Sequence, residues 1–417
     1  MNIISLLFVF SLILSLMIEL WLNIKNQFHI LQNREQVPNE FAEVVNLEAH
    51  QKAADYSRAK LHLARFILFF DAALILVMTL GGGFQDIYNI WLGLDINPLW
   101  RDVGFLLSTF MFLAILHLPF SILSTFRIEE RFGFNKTTPA KFISDLLKQW
   151  LLMLVIGLPL LWAIVAIMNS FIDQAWWFYA WILWMSFNLL LLWAYPKWIA
   201  PLFNKFSPLE EGEMKQRIEA LLERTGFESN GIFVMDGSSR SGHGNAYFTG
   251  MGKNKRIVFF DTLLEKLSVD EVEAVLAHEL GHFKHGHIKK RLIEGAVMSL
   301  AGLALLGWLV TLPSFYSGLG IETATPAAAL LLFMTAVPVM FFFLGPVMAL
   351  KSRKHEFEAD AFAAQHVGAE HLISALLKLY RDNAATLTPD PSYSAYYDSH
   401  PPAKIRIDHL KSLQGDK

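Results

Sequence analysis

The 417-residue chain contains no cysteine. That excludes disulfides, thiolate metal sites and cysteine nucleophiles, leaving histidine and carboxylate as its strong metal ligands. It also lacks a basic tract interleaved with aromatics, so nothing points to a nucleic-acid partner, and a net charge of −3 gives no strong field of either sign. Charged residues are scarce at 18%, hydrophobic ones make up 54%, and the mean hydropathy is +0.37. Soluble domains hold about 45–50% apolar residues even when glycine is counted, so this balance calls for membrane spans. No internal repeat or low-complexity stretch interrupts the chain.

Seven apolar stretches are long enough to cross a bilayer core, which takes about 20 helical residues: Ile3–Leu22, Leu63–Leu80, Val103–Leu123, Trp150–Met168, Trp176–Tyr195, Ala296–Leu312 and Ala327–Leu350. The first has no basic leader or small-residue cleavage site and runs on through Glu19 and Trp21, so it is expected to be a retained span. Basic residues gather after span one (Lys25, Arg34, Lys52, Arg58, Lys60) and after span three (Arg127, Arg131, Lys136, Lys141, Lys148). The connection after span two has only Arg101, and those after spans four and six have none. By the positive-inside rule the N-terminus lies outside, and both the segment after span five and the C-terminal tail lie in the cytosol. Glu19, Asp71 and His117 fall within spans, where ionisable groups face either a watery interior or partners on neighbouring helices. Gln32–Arg65 reads as an amphipathic helical pair broken at Pro38, and Phe126–Lys148 as a turn with a return helix. Neither offers catalytic chemistry.

The chemistry lies in a helix-like run from Ser268 to Lys290. Within it His278, Glu279 and His282 form HExxH, and the four-residue step puts both imidazoles on one helical face, able to grip one ion. Zinc is the expected ion. Glu279 projects about 100° further round the helix, placed to act on water at the open coordination position as general base. Ser268 with Glu271 three residues on is a capping-box pattern that marks the helix start.

Catalytic zinc takes three protein ligands, so a third is expected on another element. In Ser352–Ala364 (SRKHEFEADAFAA), Glu356 and Asp360 are four apart and share a helical face, whereas Glu358 sits about 200° from Glu356. Glu356 is therefore the expected ligand, and Asp360 the acceptor for the second ring N–H of a ligating histidine. Glu358 is expected to face water. His285, His287 and His355 would crowd a filled site, and are expected at the surface or just behind the ligands.

Ahead of the motif, Glu210–Arg224 reads as a charged amphipathic helix, and Gly231–Met235, Asn245–Thr249 and Ile257–Phe260 as short strands. Asn245, Ala246, Tyr247 and Phe248 are either a substrate-holding edge strand, bonding an extended peptide through the main chain, or an ordinary core hairpin. In the tail, His400 and Arg406 bracket a Pro-Pro turn, and their donors can stabilise an oxyanion or hold a carboxylate, unless the segment is only a turn.

Taken together, the segments RIEERFGFNKTT (Arg127–Thr138), PLFNKFSPL (Pro201–Leu209), SGHGNAYFTG (Ser241–Gly250), HELGH (His278–His282), SRKHEFEAD (Ser352–Asp360) and SHPPAKIR (Ser399–Arg406) make the chain resemble the integral-membrane type I CAAX prenyl endopeptidases, zinc metalloproteases of the gluzincin kind. The resemblance implies a mainly α fold, a barrel of seven transmembrane helices enclosing a hydrated chamber. It also implies His278, His282 and Glu356 as ligands of one Zn2+, Glu279 as base, Asn245–Phe248 lining the substrate strand site, and His400 and Arg406 near the reacting carbonyl. Four regions are expected: 1–200 with spans one to five, 201–292 with the metalloprotease segment and its small sheet, 293–350 with spans six and seven, and 351–417 with the third ligand. Peptide or protein substrates, prenylated or otherwise membrane-associated, and the lipid bilayer are the expected partners. The absence of cysteine and of an ER-retrieval signal before Lys417 suggests a prokaryotic homologue in the inner membrane, with the ER membrane as the eukaryotic counterpart, and a role in membrane-protein quality control. A chaperone-like membrane protein with a structural zinc site is the alternative.

Overall fold

A computed structural model describes residues 2–250 and 255–415. Among the described residues six helices are long and apolar enough to cross a membrane: Ile3–Gln32, Leu47–Met78, Pro98–Glu129, Pro139–Ser170, Trp176–Phe203 and His287–Leu309. Only 11–22% of their most apolar windows is buried within the protein, so much of that apolar surface is left uncovered by it. Side chains such as Phe10, Phe69, Leu151 and Trp198 are exposed there, an arrangement stable only in lipid. The chain is a multi-pass membrane protein. Where the helices meet, Phe105, Tyr88, Trp176, Leu306 and Leu331 form a membrane-level core.

The seventh apolar stretch is built differently from the other six. It is divided among a helix Pro326–Thr335, a helical turn Val337–Met340 and the start of the helix Leu344–His366. Pro338, Gly345 and Pro346 are the sequence cause, since proline removes an amide donor and clashes with the preceding turn. The last of these helices then runs without interruption from the apolar stretch to Glu356. Gln32–Arg65 also departs from the expected pair: after Pro38 and a short 3-10 turn, one 32-residue helix, Leu47–Met78, carries the amphipathic segment directly into the span. Glu19, Asp71 and His117 line cavities between the spans, and His117 Nε2 lies 3.2 Å from Asp71 Oδ1.

Outside the spans a four-stranded sheet comprises β1 (Phe206–Pro208), β2 (Ile232–Met235), β3 (Ala246–Thr249) and β4 (Arg256–Phe260), in the order β1-β2-β4-β3. The β2 and β4 strands run parallel, and β3 joins β4 antiparallel with Tyr247 opposite Val258 and Phe248 opposite Ile257. The Asn245–Phe248 segment therefore lies on an edge strand. Buried Ile257, Phe259, Val272, Leu276, Leu280, Ile218 and Leu372 make a second core between sheet, motif helix and the helices Glu213–Thr225 and Ala369–Asp382.

The loop Ser241–Asn245 that leads into β3 is clamped from several sides. Gly242 N donates to Phe134 O, and Lys136 N to Arg240 O, at 3.0 Å each; the His243 ring stacks on Phe134 with centroids 4.2 Å apart. Gly244 N donates to Asn383 Oδ1 (3.0 Å), and Lys266 Nζ to Gly242 O (2.6 Å). The Arg127–Thr138 segment, which has no chemistry of its own, thus docks the edge strand onto the membrane helices.

Candidate metal centre

The motif helix is Val269–Lys284, capped as expected: Ser268 N donates to Glu271 Oε2 at 2.7 Å, and Glu271 N donates to the Ser268 hydroxyl at 3.4 Å. It does not continue to Lys290. Gly286 adopts a left-handed conformation (φ 67°) and ends the run, and a separate helix starts at His287.

The motif helix packs lengthwise on Leu344–His366. Their approach requires a glycine at position 281, where a Cβ would meet Ala359 Cα at 2.8 Å and Ala359 O at 3.1 Å. A Gly281→Ala substitution gains about 1 kcal/mol of helix propensity but overpacks a backbone contact at a cost of about 1–3 kcal/mol. The expected outcome is a lower melting temperature in detergent together with reduced zinc per chain, because the helices that carry the two halves of the site are pushed apart.

That close packing brings His278, His282 and Glu356 together, with one ligand atom from each lying within 4.8 Å of the other two. The two Nε2 atoms are 3.3 Å apart; Glu356 Oε2 lies 3.4 Å from His278 Nε2, and Glu356 Oε1 3.3 Å from His282 Nε2. His400 Nδ1 lies 2.7 Å from Glu356 Oε2 on a side chain that is 62% exposed. Although imidazoles surround the fully buried Glu356 carboxylate, neither of its oxygens accepts a hydrogen bond. A buried carboxylate left in this way needs a cation, and two imidazoles with one carboxylate are a donor set suited to zinc. Burial works against its charge, but the His278, His282 and His400 rings hold Glu356 well below the usual carboxylate range.

Behind His278 sits Asp360. His278 Nδ1 donates to Asp360 Oδ1 at 2.8 Å, which leaves Nε2 facing Glu356. Arg406 clamps the other side of the carboxylate, with Nε donating to Oδ2 at 2.9 Å and Nη2 to Oδ1 at 2.6 Å. Burial raises the Asp360 carboxyl, and His278 and Arg406 outweigh it to hold the group below its ordinary value. Burial and the Arg406 charge lower the His278 imidazole, yet Asp360 and Glu356 prevail and push it up to about 9.

Glu279 follows His278 on the helix and is half-buried. The β3 edge reaches the same helix through aromatic contacts, with Phe248 on Phe227 (5.1 Å) and Phe227 edge-on to Phe283 (4.6 Å), next to His282. His287 takes the second of the two expected places, behind a ligand, at 1% exposure, and Glu358, expected to face water, is only partly exposed and pairs with it at 2.8 Å. Gly286, with its left-handed backbone, is the feature that turns His287 in behind His282. Of the other two histidines, His355 is buried and His285 is exposed.

Comparison with known proteins gives this geometry a family. Residues 27–205 match the model of the CAAX prenyl protease N-terminal region with five membrane helices, and residues 208–414 match peptidase family M48. The chain is 39% identical to a CAAX prenyl protease 1 homolog of Arabidopsis thaliana, over 78% of this chain and 76% of that protein. It is 35% identical to CAAX prenyl protease 1 of Saccharomyces cerevisiae, over 92% and 90% respectively. The crystal structure of S. mikatae Ste24p superposes with a TM-score of 0.91 at 32% identity, over 98% of this chain and 99% of that one. The chain belongs to the CAAX prenyl protease family of M48 peptidases and is a zinc-dependent membrane metalloendopeptidase.

Proposed function

We propose that the protein cleaves peptide bonds near the C-terminus of CAAX-type prenylated or other membrane-associated proteins, with His278, His282 and Glu356 holding one Zn2+ and Glu279 as general base. The observation that carries this is the convergence of the three donors from two separate helices onto one point. Bound zinc supplies Lewis acidity, polarising the scissile carbonyl and making water more acidic. Glu279 takes the proton of the attacking water and passes it to the leaving amine. Asp360 fixes the His278 tautomer, and Arg406, whose Nε and Nη2 hold Asp360 while Nη1 lies 4.0 Å from Glu356 Oε2, acts through these carboxylates as a positioning residue. His400, largely exposed at the edge of the donor group, is the residue assigned to the developing oxyanion. The free edge of β3, at Asn245–Phe248, holds the substrate backbone.

The finer membrane arrangement is part of the same proposal: seven spans, counting the broken stretch after Pro326, around a hydrated chamber, with the metal centre on the cytosolic side. The asymmetry of basic residues between connections supports that orientation. Two cavities support the chamber. One of ≈ 540 Å³ is lined by His355 and Ser399, the chain neighbours of Glu356 and His400, and one of ≈ 440 Å³ by Asp71 and His117 between the spans; Glu19 and Phe342 line both.

Chelation separates this reading from a chaperone-like protein with a structural zinc, whose site needs four protein ligands. Only three donors group here among the described residues. Stripping the metal should abolish cleavage of a farnesylated CAAX peptide while the protein stays folded in detergent, and added zinc should restore cleavage. Unfolding on chelation would favour the structural role.

A further inference from the structure

The break at Gly286 turns the chain back over the end of the motif helix, and His287 is buried there against His282. His287 Nδ1 lies 2.9 Å from His282 Nδ1, and His287 Nε2 lies 2.8 Å from Glu358 Oε2. These contacts fix where each proton sits. An ionised carboxylate only accepts, so His287 carries its hydrogen on Nε2; as a neutral ring its Nδ1 is then a bare acceptor. His282 must therefore donate from Nδ1, which leaves its Nε2 free, 3.3 Å from Glu356 Oε1. The His355 ring stacks on His287 at 3.9 Å and 13° and holds its plane. Both His287 nitrogens are engaged in this way, so it is not a fourth ligand.

We propose that His287 and Glu358 are a positioning pair for His282, the counterpart of Asp360 and Arg406 behind His278. The inference rests on the zinc reading and deepens it: the protein orients each ligating imidazole separately, one directly through a carboxylate and the other through an intervening histidine. His287 touches no reacting atom. It acts by presenting His282 to the metal in one tautomer and one ring orientation, which raises the basicity of that ligand.

The test is zinc affinity of the full chain in detergent, stripped of metal and titrated with Zn2+ against a chromophoric chelator, with the melting temperature of the metal-free protein measured alongside. Glu358 is partly exposed, so Glu358→Leu probes the relay with little burden on the core. Glu358→Leu and His287→Phe should each weaken zinc binding about 10–100-fold. Glu358→Gln, whose side-chain oxygen still accepts from His287 Nε2–H, should stay close to wild type, and the metal-free melting temperature of Glu358→Leu should not change. Wild-type affinity in both Glu358→Leu and His287→Phe would overturn the relay, as would a loss in Glu358→Leu matched by a fall in metal-free stability. If the unmodified protein took up no zinc, the metalloenzyme reading would fail first and the relay with it.

Discussion

Replacing Glu279 with glutamine is expected to leave zinc content and melting temperature unchanged while cleavage of a prenylated CAAX peptide drops by about 10²–10⁴-fold, the range a positioned general base contributes. The substitution is nearly isosteric and the residue is half-buried, outside the donor group of His278, His282 and Glu356. Fold and metal should therefore survive it. Removing the carboxylate takes away the acceptor for the water proton and the donor to the leaving amine, so the loss should appear in kcat more than in KM. Zinc analysis and steady-state kinetics on the same preparation check both halves. A variant that kept full activity would remove Glu279 from the mechanism.

The second large effect concerns stability. In Arg406→Met the Asp360 carboxylate, itself fully buried, loses two hydrogen bonds from its cationic partner. Removing one side of a buried ion pair costs about 3–5 kcal/mol, because the remaining charge has no solvent to replace the partner. Here Asp360 still has His278, so the strain passes to a metal ligand. The expected result is a marked fall in melting temperature together with weakened zinc retention. Pairing the change with Asp360→Asn should recover a good part of the melting temperature, since the double variant buries no unpaired charge. Metal retention should remain poor, because His278 then lacks its carboxylate.

Much of the site was readable from the sequence, because HExxH encodes its geometry locally. A four-residue step on a helix determines which side chains share a face, and the same argument separated Glu356 and Asp360 from Glu358. Hydrogen bonding also made the helix start legible, since Ser268 and Glu271 cap each other without outside help. What was not legible depends on non-local partners or on interrupted periodicity. The pairing of His287 with Glu358 has no local signature, because Gly286 changes the chain direction just before the histidine. Phe206–Pro208 carries no strand pattern of its own and becomes a strand only because Met235 and Phe233 lie alongside to pair with it. The end of the first loop looks like a separate amphipathic helix, but nothing between Leu47 and Met78 breaks the backbone, so it merges with the span. The commitment of Arg406 to Asp360, far away in the chain, has no local signature at all.

The central claim is that one zinc sits among two imidazoles and one carboxylate of this chain, with a coordination position left open to water. X-ray absorption at the zinc edge of the purified protein tests it most directly. One zinc per chain, with scattering from two imidazoles and the remaining neighbours oxygen, is the predicted result. Absence of zinc, or a third imidazole closing the coordination shell, would contradict it.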